Sequence, residues 1–377
     1  MSKPAFFNDS LTLDLEIHNP SSAYSYGERI FVGLTWLLIS VLGTTGNSLV
    51  IISILLSHKL QTSTNIFVAS LATADLLTCL FLIWNVLALL GHDGWPLPQA
   101  EWLCAVTGFM VYFCTGTSIY TLATIALNRF VLITKSLKTY QKIFLTINIR
   151  LMVMFTWCVP FGTFLSIMLA GVGVYGYDTE SSTCTGRNKH PGGSFHIMTS
   201  VFVYPIPLIT IITSYILVFM YIKRHFKKKR MNELHTIAST ASTSQVMPEK
   251  SRQQIPATEA STSAEGSGIH QSTRRHADGI SQREIGITKN LFLVVVAFFI
   301  CYSPCAIALV IPRGSDFLLY GVTLVFANSA INPVIYARRH PHFKIVFTAL
   351  IKCQYDKIPE PTDFLKRFLI RRVHPFP

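Results

Sequence analysis

The sequence predicts an all-α protein: a seven-transmembrane helix bundle with a short amphipathic helix after the seventh span. Three observations carry this. Half of the 377 residues are hydrophobic, 14% are charged and mean hydropathy is +0.42, a balance foreign to ordinary soluble chains. Seven apolar runs, 30–57, 65–90, 102–128, 150–174, 196–222, 287–311 and 317–337, are each long enough to cross a hydrocarbon core of ~30 Å. Their backbone polar groups can be satisfied there only within helices. The cations are one-sided: with the N-terminus outside, 27 of the 32 Lys and Arg fall on the inner side, which sets the C-terminus in the cytoplasm. The net charge of +13 therefore serves topology, anionic membrane lipid and acidic cytosolic partners, not nucleic acid.

The chain divides into an extracellular N-terminus (1–28), a membrane domain (29–337), an amphipathic membrane-surface helix (338–353) and a cytosolic tail (354–377). Residues 1–28 hold no apolar h-region, so the first span is expected to direct insertion. Asn8-Asp9-Ser10 is a glycosylation sequon on the outer side. Span one carries Gly46-Asn47. Span two buries Asp75 near mid-bilayer, where a carboxylate costs several kcal/mol unless protonated, paired or bound to a cation. A protonated Asp75 bonded to Asn47 is the plain alternative to a cation site.

Span three opens at Cys104 and ends at Asn128-Arg129-Phe130. Cys104 and Arg129 lie 25 residues apart, ~37 Å along a helix, so they belong at opposite membrane faces. An arginine ending an apolar span marks a functional position, with a snorkelling anchor as the bland alternative. Span four holds Trp157 and Pro160, and then comes a polar outer loop of about two dozen residues. Of eight cysteines only Cys104 and Cys184 fall in outer segments, where a disulfide can persist. Their bridge would pin that loop over the bundle as a lid. Cys79, Cys114, Cys158, Cys301 and Cys305 read as small apolar core residues, and no cysteine spacing suggests a metal site.

Span five contains Pro205, Pro207 and Tyr215 and runs into a basic stretch, Lys223 to Arg230. The third cytosolic loop (223–285) is expected to be largely disordered, with a Ser/Thr/Gln/Glu-rich linker over 232–282. Pro304 should bend span six. Span seven carries Asn328, Ser329, Asn332, Pro333 and Tyr336. Past it, Phe343, Val346, Phe347, Leu350 and Ile351 keep helical spacing, which predicts a helix lying on the inner leaflet. Cys353 at its end is a palmitoylation candidate.

One motif per span stands in a recognisable order: Gly46-Asn47, Leu71-Ala72-x-Ala74-Asp75, Cys104 with Asn128-Arg129-Phe130, Trp157, Pro207 with Tyr215, Phe298 with Cys301-Tyr302-Ser303-Pro304, and Asn332-Pro333-x-x-Tyr336. Together they make the chain resemble a class A (rhodopsin-like) G-protein-coupled receptor. The Asn-Arg-aromatic triplet, the VLITKSLKTY after it and Tyr302 before Pro304 are similar to the melatonin-receptor-like group, which includes moody-type orphans.

The resemblance implies a receptor without catalytic residues that binds a small extracellular ligand and activates a heterotrimeric G protein, of Gi/o type. It also implies arrestin and receptor kinases as partners and the plasma membrane as location. Arg129 would pair at rest with Glu284 and swing toward Tyr215 and Tyr336 on activation. Asp75, Ser118, Asn328, Ser329 and Asn332 match the family's sodium pocket, whose ion would favour the resting state. Ile119, Pro207 and Phe298 match its central packing triad. Two departures stand out: Asn128 replaces the usual acid beside Arg129, and Tyr302 the usual tryptophan.

A biogenic amine needs a carboxylate facing the pocket from span three, but the matching position is Val111 and residues 102–128 hold no acid. A retinal Schiff base needs a lysine in span seven, where Phe326 stands. The expected ligand-binding set is Thr107, Val111, Tyr112, Thr115, Thr199, Tyr302, Cys305, Val322 and Phe326, a lining for a small, largely apolar ligand such as an indole or lipid. Arg187 could anchor a ligand carboxylate, or be a solvated loop residue. The rival class, a transporter or intramembrane enzyme, would use Asp75 as a proton relay and His92, His190 or His196 in catalysis. The absence of an internal repeat argues against it, and a receptor-like scaffold that does not couple is argued against by Arg129, Tyr215 and Tyr336.

Overall fold

The computed structural model describes residues 22–91, 94–190, 193, 195–244, 286, 288, 292–308 and 315–373. Among these, six helices are long and apolar enough to cross a membrane, and a seventh, shorter apolar helix spans Phe292–Ala308. Asn8, His92 and Glu284 lie outside the described residues.

The chain starts α1 (Tyr26–Leu56) with a capping box: Ser25 accepts from the Glu28 N–H and Glu28 accepts from the Ser25 N–H at 2.9 Å. α2 (Ser63–Leu90) is capped by Thr62. α3 (Glu101–Thr134) is the central rod, packed against α2, α5 (Thr146–Leu169), α7 (Pro205–Ser244) and the outer hairpin. The short α4 (Leu137–Ile143) forms the second inner loop. A helix α6 (Phe195–Val203) precedes α7, and the two part at Tyr204, because Pro205 has no N–H to continue the ladder and restricts the residue before it. α8 (Phe292–Ala308), α9 (Ser315–Arg339), α10 (Pro341–Ile351) and α11 (Asp363–Val373) complete the chain.

Outward faces are apolar, as lipid contact requires: Phe31, Leu34, Leu38, Ile209 and Phe219 are all exposed. The inside carries polar side chains used as cross-links. Ser40 donates to the Cys79 carbonyl at 2.6 Å, Trp157 to Ser70 at 2.9 Å and Trp36 to Thr323 at 2.9 Å. Asn47 donates to the Gly43 and Ser329 carbonyls, both at 2.9 Å, joining α1 to α9. It bonds there and not to Asp75, so the expected Asn47 partner of a protonated Asp75 is engaged elsewhere.

Several expectations are corrected. The polar outer loop holds strands not foreseen: β1 (Gly173–Asp178) and β2 (Thr183–Asn188) form an antiparallel hairpin, with Tyr177 opposite Cys184. α7 runs to Ser244, well into the expected linker, because no Gly or Pro interrupts residues 208–247. Cys158 is exposed toward lipid and Cys305 is half-buried, whereas Cys79, Cys114 and Cys301 are buried as expected. On α10, Phe343, Val346 and Phe347 point into the bundle's own core, not onto lipid. Phe343 stacks on Tyr336 with centroids 5.6 Å apart. Ile345 and Ile351 supply the exposed apolar face, and Cys353 comes next, exposed, with φ of 53°.

Helix α1 meets α9 through Gly46, where an added Cβ would lie 2.8 Å from the Pro333 Cβ. Gly46→Val should therefore wedge the two helices apart and cost about 1–3 kcal/mol, read as a lower melting temperature of purified protein. A Gly46→Ala variant should fall between the two.

Candidate functional site

Three constellations stack along α3. The outermost is a cavity of about 920 Å³ beneath the hairpin. The Cys104–Cys184 disulfide ties β2 to the outer end of α3, and Asn85 accepts from the Cys184 N–H at 2.7 Å, adding a tie to α2. Gly108 lets the hairpin lie directly on α3: a Cβ there would sit 3.0 Å from the Thr185 carbonyl oxygen. Tyr175 packs edge-on against Phe109, Tyr112 and Phe195, and burial pushes its phenol well above the ordinary value, so it packs as a neutral ring.

Of the ten side chains expected to bind ligand, Val111, Tyr112, Thr115, Arg187, Thr199, Tyr302, Cys305, Val322 and Phe326 line this cavity. Thr107 does not; it is fully buried on α3, away from the lining. Arg187 is exposed at the mouth. The floor is aromatic: Phe298 stacks on Tyr302 with centroids 4.0 Å apart, and Trp36 meets Phe326 edge-on at 5.0 Å. Ile119 and Phe298 also reach the cavity, while Pro207 is buried on α7. Pro304 is half-buried on α8.

Below the floor, Asp75 of α2 is fully buried and held by donors from two other helices. Ser118 of α3 and Ser329 of α9 donate to its Oδ1 at 3.1 and 3.0 Å, and Asn332 of α9 donates to Oδ2 at 2.8 Å. The amide oxygens of Asn328 and Asn332 are buried without a hydrogen-bond partner. A carboxylate, two hydroxyls and two orphaned amide oxygens suit a small hard cation such as sodium. They do not suit a transition metal, and no cluster of three or more His, Cys, Asp or Glu stands ready for one among the described residues.

At the inner end, Arg129 is buried, with 4% of its surface exposed, so a snorkelling anchor does not describe it. Phe130 is half-buried against the core. The hydroxyls of Tyr215 and Tyr336 are buried without hydrogen-bond partners, and Pro333 is buried within α9. Asn128 uses both ends of its amide: Oδ1 accepts from Thr64 of α2 at 2.7 Å, and Nδ2 donates to the Tyr140 hydroxyl of α4 at 3.2 Å.

The family model for seven-transmembrane receptors of the rhodopsin family matches residues 46–336. The chain belongs to the rhodopsin family of seven-transmembrane receptors. It is 26% identical over 375 residues to the G-protein coupled receptor moody of Drosophila pseudoobscura pseudoobscura, covering 88% of this chain and 54% of that protein. The chain thus spans about half the length of its moody relatives. It is 24% identical over 315 residues to the melatonin receptor type 1B-B of Danio rerio, covering 81% of this chain and 77% of the other. The crystal structure of squid rhodopsin matches with a TM-score of 0.60 at 18% identity, covering 91% of each chain, a likeness of fold.

The match over residues 46–336 agrees with the multi-pass arrangement of long apolar helices. The sequence motifs pointed to Asp75 and Arg129 but missed Tyr24, Trp36, Asn85 and Tyr204 in the cavity, and offered His196 only for catalysis. They come from separate elements and share no spacing in the chain. Thr64 and Tyr140 were also missed, although an amide in place of an acid beside Arg129 was a signal that neutral partners should be sought.

Asn128→Ala leaves the Thr64 hydroxyl and the Tyr140 phenol without their partner, at a cost of about 1–3 kcal/mol. Amide hydrogen exchange over α4 should speed up while exchange at the hairpin stays unchanged.

Proposed function

We propose that this receptor sits in the plasma membrane with its N-terminus outside, binds a small, largely apolar, non-amine ligand in the cavity, and promotes nucleotide exchange on a heterotrimeric G protein of the Gi/o class. The observation that carries the proposal is adjacency along α3: Ile119 lines the cavity, and its neighbour Ser118 donates to Asp75 in the cage. A ligand that moves the Ile119–Phe298 floor therefore bears directly on the packing between α3 and α9. Such a ligand acts by favouring one packing over the other.

An indole, a lipid or a carboxylate fits the lining. Arg187 at the mouth supplies a partner for a carboxylate and the aromatic floor a place for a flat or extended apolar body. Arg129, Tyr215 and Tyr336 form the coupling switch, with Glu284 as the resting partner of Arg129. Sodium in the cage of Asp75, Ser118, Asn328, Ser329 and Asn332 would neutralise the buried carboxylate and hold the resting packing. Arrestin and receptor kinases are the further partners in this proposal, Asn8 a glycosylation site and Cys353 an acylation site.

Nucleotide exchange on purified Gi/o, measured with the receptor in nanodiscs against a panel of lipids, indoles and carboxylates, tests the proposal. At least one class should accelerate exchange, and Val322→Trp, which fills the cavity, should weaken that response by roughly tenfold or more. A receptor that forms no nucleotide-sensitive complex with any G protein would overturn it. Sodium in place of choline should raise the melting temperature of the ligand-free receptor, and Asp75→Asn should abolish that difference. Glu284→Ala should raise basal exchange at matched surface expression.

A further inference from the structure

The segment after α10 folds back onto the first inner loop. The Ser57 hydroxyl donates to the Pro359 carbonyl at 2.6 Å, the His58 N–H to the Glu360 carbonyl at 2.9 Å and the Thr362 N–H to the Leu56 carbonyl at 3.0 Å. Ser57 and Pro361 make an isolated antiparallel bridge, and Lys59 lies 3.7 Å from Glu360. Two side chains anchor this strap in the bundle's core: Ile358 is 3% exposed and Leu365 is 2% exposed. Ser57, at the end of α1, is fully buried beneath it.

The strap fixes the depth of helix α11. That helix begins one residue after Thr362, whose N–H is bonded to Leu56, the last residue of a membrane-crossing helix. Helix α11 is therefore held where α1 leaves the hydrocarbon, beside the exposed Leu55. Its sequence, DFLKRFLIRRV, carries Lys366, Arg367, Arg371 and Arg372 against the single acid Asp363. Asp363 meets Lys366 at 3.3 Å. Leu365 turns inward, while Phe364, at 74% exposure, and Arg367 turn outward.

We propose that α11 is a second interfacial helix that docks on anionic phospholipid of the inner leaflet. Arg367 and its cationic neighbours meet the headgroups and Phe364 enters the headgroup–acyl boundary. A helix with an aromatic residue and cations on one exposed face suits that boundary, and the negative inner leaflet attracts each cation near its surface. Charge complementarity and the fixed depth both favour lipid over a soluble acidic protein, which would need no tether at the end of α1. The proposal rests on the inward-facing C-terminus proposed above.

The test is hydrogen exchange over residues 363–373 of the full-length receptor in nanodiscs of phosphatidylcholine alone or with phosphatidylserine added. Both leaflets of a nanodisc carry the same lipid, so the readout does not depend on which way the receptor faces. Exchange should be roughly tenfold slower with phosphatidylserine, and the protection should fade at high salt. The double variant Lys366→Glu/Arg367→Glu should lose the difference, and Lys366→Arg/Arg367→Lys should keep it. Exchange over 356–362 reports whether the strap itself survives in each variant. Equal exchange in the two lipid mixtures would overturn the proposal. So would protection that appears in phosphatidylcholine only when a purified G protein is added, which would make the occupant a protein.

Discussion

A buried carboxylate in lipid has few ways to exist, and the interior of this receptor is arranged around that fact. Asp75 lies where water cannot solvate it, so its two oxygens must be met by donors from other helices. Ser118, Ser329 and Asn332 meet them, which forces α3 and α9 to converge on α2 at one depth. Apolar packing between lipid-facing helices has no hydrophobic driving force, because lipid tails are as apolar as the side chains. Polar cross-links and close approaches such as Gly46 on Pro333 therefore decide where the helices sit. The same cage leaves two amide oxygens without partners, so the arrangement that locks the bundle is also the one open to a cation.

The cavity depends on that lock from above. Its floor residues Ile119 and Phe298 stand just outside the cage, and its roof is a hairpin that cannot drift because a disulfide, an asparagine and a bare glycine surface hold it to α2 and α3. The N-terminal segment adds to the roof: the Ala23 N–H donates to the Glu180 carbonyl at 2.9 Å, and Arg29 donates to Ser182 at 2.9 Å. A lid tied at several points fixes the shape of the cavity beneath it.

The inner end obeys a different logic. Asn128 stands where the family's usual acid would, and its neutral amide binds Thr64 and Tyr140 in a link between α2, α3 and the second inner loop. Both ends of the Asn128 amide are thereby engaged away from Arg129. Beyond α9, the segment after α10 closes on the turn after α1 through backbone hydrogen bonds and two buried apolar anchors, so this rim is built from segments some 300 residues apart in the chain.

Composition and motif order were enough to set the class of the protein and the number of spans, because lipid admits only long apolar helices. They also located Asp75, Arg129 and the Cys104–Cys184 pair, since a charge or an outer cysteine in such a chain is conspicuous on composition alone. What those residues touch was settled only in three dimensions. Asn47 bonds to carbonyls and not to Asp75, Phe343 turns into the bundle and not onto lipid, and Thr107 is buried away from the cavity that Tyr204 and Trp36 help to line. The reason is geometric: helical spacing says which residues share a face, but which neighbour that face meets depends on contacts between segments far apart in the chain.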